Sequence, residues 1–313
     1  MILGAAVVVL SRRFQGHSYE GIFSYKWHQP GLLLTLFFLL WMINLWLDAR
    51  IWQKVHSFMD NIRILKALET NLVCYTLSFI TPVHSGELAG RYLMMDSHKN
   101  RQKTVFLTFW SHFPRLIIKL ILGIGAFLVL WLSSANSGLW LQLLSLLAVL
   151  LILVVYFRFI RIQQWLSRRG WRNFRLGNHL LSGRPAYPEK LELLALAGTK
   201  FFTYNLQFML LLMLWSGLPF SWEILASVVA MYVAGALLPT LPMADFLVKA
   251  GVALLVFDTG LVAEDLLLNA TFVIWLFNLA LPALTGAIII LRTRLMQKLK
   301  RPAAPGSLYD PLH

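Results

Sequence analysis

Two stretches of this chain place an acid four residues before a base, just beyond a proline, inside segments otherwise apolar enough for a bilayer. The first runs Tyr75-Thr-Leu-Ser-Phe-Ile-Thr-Pro82-Val-His84-Ser-Gly86-Glu87-Leu-Ala-Gly90-Arg91. The second runs Tyr232-Val-Ala-Gly-Ala-Leu-Leu-Pro239-Thr-Leu-Pro242-Met-Ala-Asp245-Phe-Leu-Val-Lys249. In both, a tyrosine lies seven residues ahead of the first proline. An ionisable side chain at membrane depth costs roughly 2.5–3.5 kcal/mol on insertion scales, so such groups persist when paired or functional. Interrupted helices at matching positions in two halves of a membrane chain point to a transport site.

The bilayer assignment rests on composition. Of 313 residues, 58% are hydrophobic and 13% charged, against about 25% charged in soluble domains. The 28 Lys and Arg outnumber the 14 Asp and Glu. The bases cluster between apolar runs, which is the bias of cytoplasmic loops and not a nucleic-acid footprint. The lone Cys74 excludes an intrachain disulfide. Residues 1–10 are apolar but too short to cross about 30 Å of hydrocarbon, and Arg12-Arg13 follows them. That order is wrong for a signal peptide. It fits either a truncated first helix or a late start codon.

Apolar runs at 31–47, 104–133, 139–157, 193–216 and 266–291 are expected to cross. Basic breaks at 48–66, 96–103 and 158–190, and the tail from Arg292, are expected on the cytoplasmic side. Parity then makes 68–95 a re-entrant hairpin from the cytoplasm and 221–259 a hairpin from the opposite face. The expected fold is all-α: a polytopic transmembrane helical bundle with two proline-broken re-entrant hairpins in an inverted repeat. Residues 1–313 form one transmembrane domain. Its first half is 1–157 (with 139–157 as connector), followed by the basic loop 158–190, the second half 191–291 and the tail 292–313.

Proline breaks a helix and frees carbonyls, and irregular backbone at membrane depth survives buried in protein or lining a wet cavity. Pro82, Gly86, Gly90, Pro239 and Pro242 are therefore the structural hairpin residues. A helix restarting near Ser85 puts Glu87 and Arg91 on one face, as it does Asp245 and Lys249. Arg115 and Lys119 share a face and repel unless an anion or acid lies near. Lys200 places a further cation in the run 193–216. Negative charge at comparable depth is expected only from Glu87, Asp245 and, at most, Glu264 or Asp265; His84, His112 and Asn71 are further polar candidates. The candidate substrate-binding set is thus Glu87, Arg91, Asp245, Lys249, Arg115, Lys119 and Lys200. The bland alternative has Arg115, Lys119 and Lys200 snorkelling to an interface and the two ion pairs only holding their hairpins. No Walker loop, G-x-S-x-G, H-E-x-x-H or G-x-G-x-x-G occurs, so no catalytic residue, metal or cofactor is expected.

Thr81-Pro82-x-x-x-Gly86-Glu87 with Gly90-Arg91 resembles the P-x-x-x-G-E motif of the lysylphosphatidylglycerol synthase transmembrane-region family of flippase-like membrane proteins. Leu238-Pro239-Thr240 through Asp245 to Lys249 is similar to that family's second signature. It departs in having Met243, Ala244, Asp245, Leu247 and Lys249 where the family has glycine-rich backbone with Glu and Arg. The resemblance implies a domain of the bacterial inner membrane, with its C-terminus cytoplasmic, that moves or presents lipids. Its expected ligand is an anionic phospholipid or polyprenyl-phosphate lipid, and its expected partner a lipid-modifying enzyme or glycosyltransferase. Two other readings stay open: a non-catalytic scaffold for such an enzyme, and an intramembrane transferase.

Overall fold

The computed structural model describes residues 28–81, 85–95, 104–133, 139–168, 185–238, 240–257 and 262–292. Among the described residues every regular element is a helix, and there are no strands. The helices are α1 (Pro30–His56), α2 (Ile64–Ile80), α3 (Ser85–Met94), α4 (Thr104–Ser133), α5 (Leu139–Arg168), α6 (Tyr187–Ser216), α7 (Trp222–Ala236), α8 (Asp245–Val256) and α9 (Glu264–Arg292). Four of them, α1, α4, α5 and α9, contain stretches long and apolar enough to cross a membrane. α6 is as long as α4 and α5, but Lys200, Asn205 and Gln207 lower its hydropathy. Asn205 and Gln207 are fully buried, so α6 turns its polar groups inward at the centre of the bundle.

The two halves are related by exchange. α1 and α6 run antiparallel: the His28 amide donates to Leu214 O at one end (2.9 Å), and Lys54 meets Glu192 at the other (2.7 Å). α2 packs on α9, and its counterpart α7 packs on α4. α2 folds against α3 as α7 folds against α8, and α3 touches α4 as α8 touches α9. Antiparallel counterparts with matching partners are the geometry of an inverted repeat. α5 stands outside this scheme as the connector, with a largely uncovered apolar surface.

Each hairpin closes by a different device. In the first, Thr81 Oγ1 accepts from the Gly86 amide (2.8 Å) and donates to Leu77 O (2.9 Å), so one hydroxyl satisfies backbone on both sides of the break. A Cβ on Gly86 would overlap the Leu77 carbonyl, and one on Gly90 would lie 2.8 Å from Cys74 Sγ. The two glycines therefore set how closely α3 lies on α2. In the second, a single 3-10 turn at Pro242–Ala244 precedes α8, and Trp275 Nε1 donates to Pro242 O (2.9 Å). The predicted helix restart falls at Ser85 and at Asp245. Pro82, His84 and Pro239, together with residues 1–27, 96–103, 169–184 and 293–313, lie outside the described residues.

Among the described residues two large apolar cores form, one from α1, α6, α7, α8 and α9, the other from α1, α2, α4, α5 and α6, with a small third cluster around Val73 and Met94. Along α1 the first core takes Leu33 and Phe37 and the second takes Ala49, Ile51, Trp52 and Val55. Buried Asn44 and Asp48 fall between them. This corrects the expected 48–66 loop: α1 continues through His56, because Ile51, Trp52 and Val55 extend its apolar face at helical spacing. Arg50 and Lys54 lie on the same last turns and meet Glu192 at the start of α6.

Candidate functional site

The polar layer between the cores is organised by α4. Its residues 112, 115 and 119 recur at helical spacing, so His112, Arg115 and Lys119 form a stripe along one face. His112 Nε2 meets Glu87 Oε2 in the first hairpin at 2.7 Å. Arg115 Nη2 donates to Asp48 Oδ1 at 2.8 Å. Lys119 lies in electrostatic range of Arg115, Lys200, Lys249 and Asp245. One helix therefore links the first hairpin to the second.

The first hairpin is sealed. Arg91 donates from Nη2 to Glu87 Oε1 and from Nη1 to Ser111 Oγ (2.7 Å), and its guanidinium lies 4.0 Å above the Trp52 ring. The Arg91 side chain is 1% exposed and that of Glu87 14%. Stacking on an indole and forked hydrogen bonding are what a guanidinium does best when taken out of water. Every face of Arg91 is occupied by protein. Of the candidate binding set, Arg91 is the member that protein groups enclose: in this conformation it holds Glu87 and α4 in place.

The second hairpin is open. Lys249 Nζ meets Asp245 Oδ2 at 2.5 Å, and both side chains are 20% exposed. Thr240 Oγ1 donates to Asp245 Oδ1 at 3.2 Å. The Lys249 ammonium also lies 5.3 Å from the Tyr232 ring and 5.8 Å from that of Tyr204. Tyr204 stands one helical turn beyond Lys200 on α6, which ties this half of the site to the rest. Both tyrosines of the repeated motif face the polar layer, Tyr75 hydrogen-bonding Asp48 (2.7 Å) and Tyr232 lying beside Lys249.

Asp48 is the residue that reading the chain missed. It is 5% exposed and accepts from Lys200 and Arg115 at Oδ1 and from Tyr75 at Oδ2. A buried carboxylate holding three donors on three different helices is a junction, and it explains why Arg115 and Lys200, each 19% exposed, turn inward and do not snorkel. Its signal was present: Asn44, Asp48, Ile51, Trp52 and Val55 share one face of a continuing helix. Counting Asp48 into a basic loop hid it.

Of the seven predicted binding residues, the structure brings Arg115, Lys119, Lys200, Asp245 and Lys249 around one partly exposed region, with Glu87 and Arg91 at its sealed edge. Lys119 forms no hydrogen bond or ion pair among the described residues. Asn71 is buried, and its Nδ2 has no hydrogen-bond partner among the described residues. Glu264 and Asp265 lie in the first turn of α9. No group of three His, Cys, Asp or Glu side chains able to hold a metal forms among the described residues. Comparison with known proteins gives no matching family model and no matching curated protein, so the chemistry of the site carries the functional reading.

Proposed function

We propose that this protein is a flippase-like carrier that binds and translocates a lipid with an anionic head group, a phospholipid or a polyprenyl phosphate, in a bacterial inner membrane. The observation that carries the reading is Lys119: a half-buried cation without an ion-pair partner among the described residues, placed between a hydrogen-bonded polar layer and an open ion pair. An unpaired charge away from water is costly, and a phosphate oxygen is the natural group to supply the missing partner.

In this mechanism Lys119 and Lys249 receive the phosphate first, being the cations least committed to protein. Arg115 and Lys200 follow, on loosening from Asp48. Glu87 and Asp245 orient neighbouring bases and compete with the phosphate, so that the head group is not trapped. Arg91 is a positioning residue. The inverted halves give the carrier two related arrangements, one opening the layer to each leaflet. The basic helix ends and tail face the cytoplasm.

Native mass spectrometry of the protein purified in mild detergent tests this. The reading expects a retained phosphate-bearing lipid, and its loss when Lys119→Gln and Lys249→Gln are combined. A protein that retains no such lipid, or retains it equally in the double variant, overturns it.

A further inference from the structure

The arrangement of charge in the polar layer goes further and specifies the head group. Each hairpin is balanced within itself, Glu87 against Arg91 and Asp245 against Lys249. Outside the hairpins the balance fails. Asp48, a single negative charge, faces both Arg115 and Lys200. Lys119 forms no ion pair among the described residues, Asp245 in its range being already paired with Lys249. Among the described residues of the layer, three carboxylates (Asp48, Glu87 and Asp245) stand against five Lys and Arg side chains (Arg91, Arg115, Lys119, Lys200 and Lys249), a surplus of two positive charges. His112 points at Glu87, and its side chain is 46% exposed.

We propose that the site selects a head group bearing a dianionic phosphate monoester over one bearing a monoanionic phosphodiester. This rests on the lipid-binding reading above. A phosphate monoester carries about −1.5 to −2 at neutral pH, which matches the surplus, whereas a diester carries a single charge and leaves one cation uncompensated. In an environment of reduced dielectric that remaining charge is felt strongly. The geometry supplies two contact points, not one. Lys119 lies toward the second hairpin, while Arg115 and Lys200 converge on the carboxylate of Asp48, whose position a terminal phosphate oxygen can share or take over. Asp48 thus acts as a tethered stand-in for the ligand: it holds the two bases together in the empty site and limits how tightly the filled site binds.

The test uses the full chain in mild detergent with equal amounts of phosphatidic acid and phosphatidylglycerol of the same acyl chains, read by native mass spectrometry. The expected result is retention of phosphatidic acid at least about tenfold above phosphatidylglycerol, because the attraction gained by one further charge is only partly offset by the desolvation of that charge. Lys119→Gln lowers that preference to about threefold or less, because the surplus falls by one charge. Asp48→Asn raises retention of both lipids and enlarges the rise in melting temperature on adding phosphatidic acid. Should Asp48→Asn fail to accumulate, the Lys119→Gln arm decides alone. Equal retention of the two lipids by the wild-type protein overturns the charge selection, and so does a preference untouched by Lys119→Gln. Displacement of phosphatidic acid by an equimolar amount of inorganic phosphate overturns the lipid as the source of the phosphate. Retention of neither lipid overturns the lipid-binding reading itself.

Discussion

The two hairpins begin from the same sequence device and end in opposite states. In the first, the ion pair is buried, shared with Ser111 and His112, and stacked on Trp52. In the second, the pair stands one-fifth exposed, held by a long hydrogen bond from Thr240 and flanked by two tyrosine rings. The difference lies in the neighbours. Trp52 and Ser111 come from α1 and α4 and close over Arg91, whereas Lys249 lies over the rings of Tyr204 and Tyr232 and within electrostatic range of Lys119. An acid and a base four residues apart thus define a pairing and say nothing about its role. Packing around the pair decides whether it anchors the fold or remains free to exchange partners.

The largest expected effect separates these roles. Arg91→Ala removes one partner of a buried pair and strands Glu87, which should cost about 3–5 kcal/mol of stability. Lys249→Ala removes a partly exposed partner and should cost about 1 kcal/mol or less. Thermal unfolding of both variants in one detergent checks this; similar losses would erase the distinction between sealed and open hairpins. Next in size is a comparison of glycines. Gly86→Ala drives a methyl into the Leu77 carbonyl and should destabilise by about 1–3 kcal/mol. At Gly235 the nearest atom to an added methyl is Lys249 Cγ at 3.4 Å, so Gly235→Ala should change stability by less than about 0.5 kcal/mol. A Gly235→Ala variant as unstable as Gly86→Ala would show the second hairpin to be as tightly packed as the first.

How far the chain announces this can be judged from particular residues. The hairpins, their helix restarts and their pairings followed from proline chemistry and the four-residue spacing, all local properties. The exchange symmetry was foreshadowed by the tyrosines, and both do face the polar layer. Asp48 was hidden because its meaning is not local. It ends an apolar run and precedes Arg50 and Lys54, so neighbours along the chain suggest a loop, while its three donors arrive from α2, α4 and α6. The enclosure of Arg91 was hidden for the same reason, since nothing adjacent to it in the chain announces that Trp52 covers it.

A smaller effect sharpens the contrast further. Tyr75→Phe removes one donor from Asp48 and should cost about 1 kcal/mol. Thr240→Val removes a long, partly exposed hydrogen bond in the second hairpin and should cost about 0.5 kcal/mol. Chemical-denaturant melts resolve the order, and the reverse order would place the tighter network at the second hairpin.

Transbilayer movement of a labelled phosphate-bearing lipid in proteoliposomes tests the central claim most directly, that the polar layer between the hairpins carries a head group across. The account predicts movement well above that of protein-free vesicles, lost in Lys119→Gln combined with Lys249→Gln although that variant remains folded. Movement no faster than in protein-free vesicles, or undiminished in the folded double variant, would contradict it.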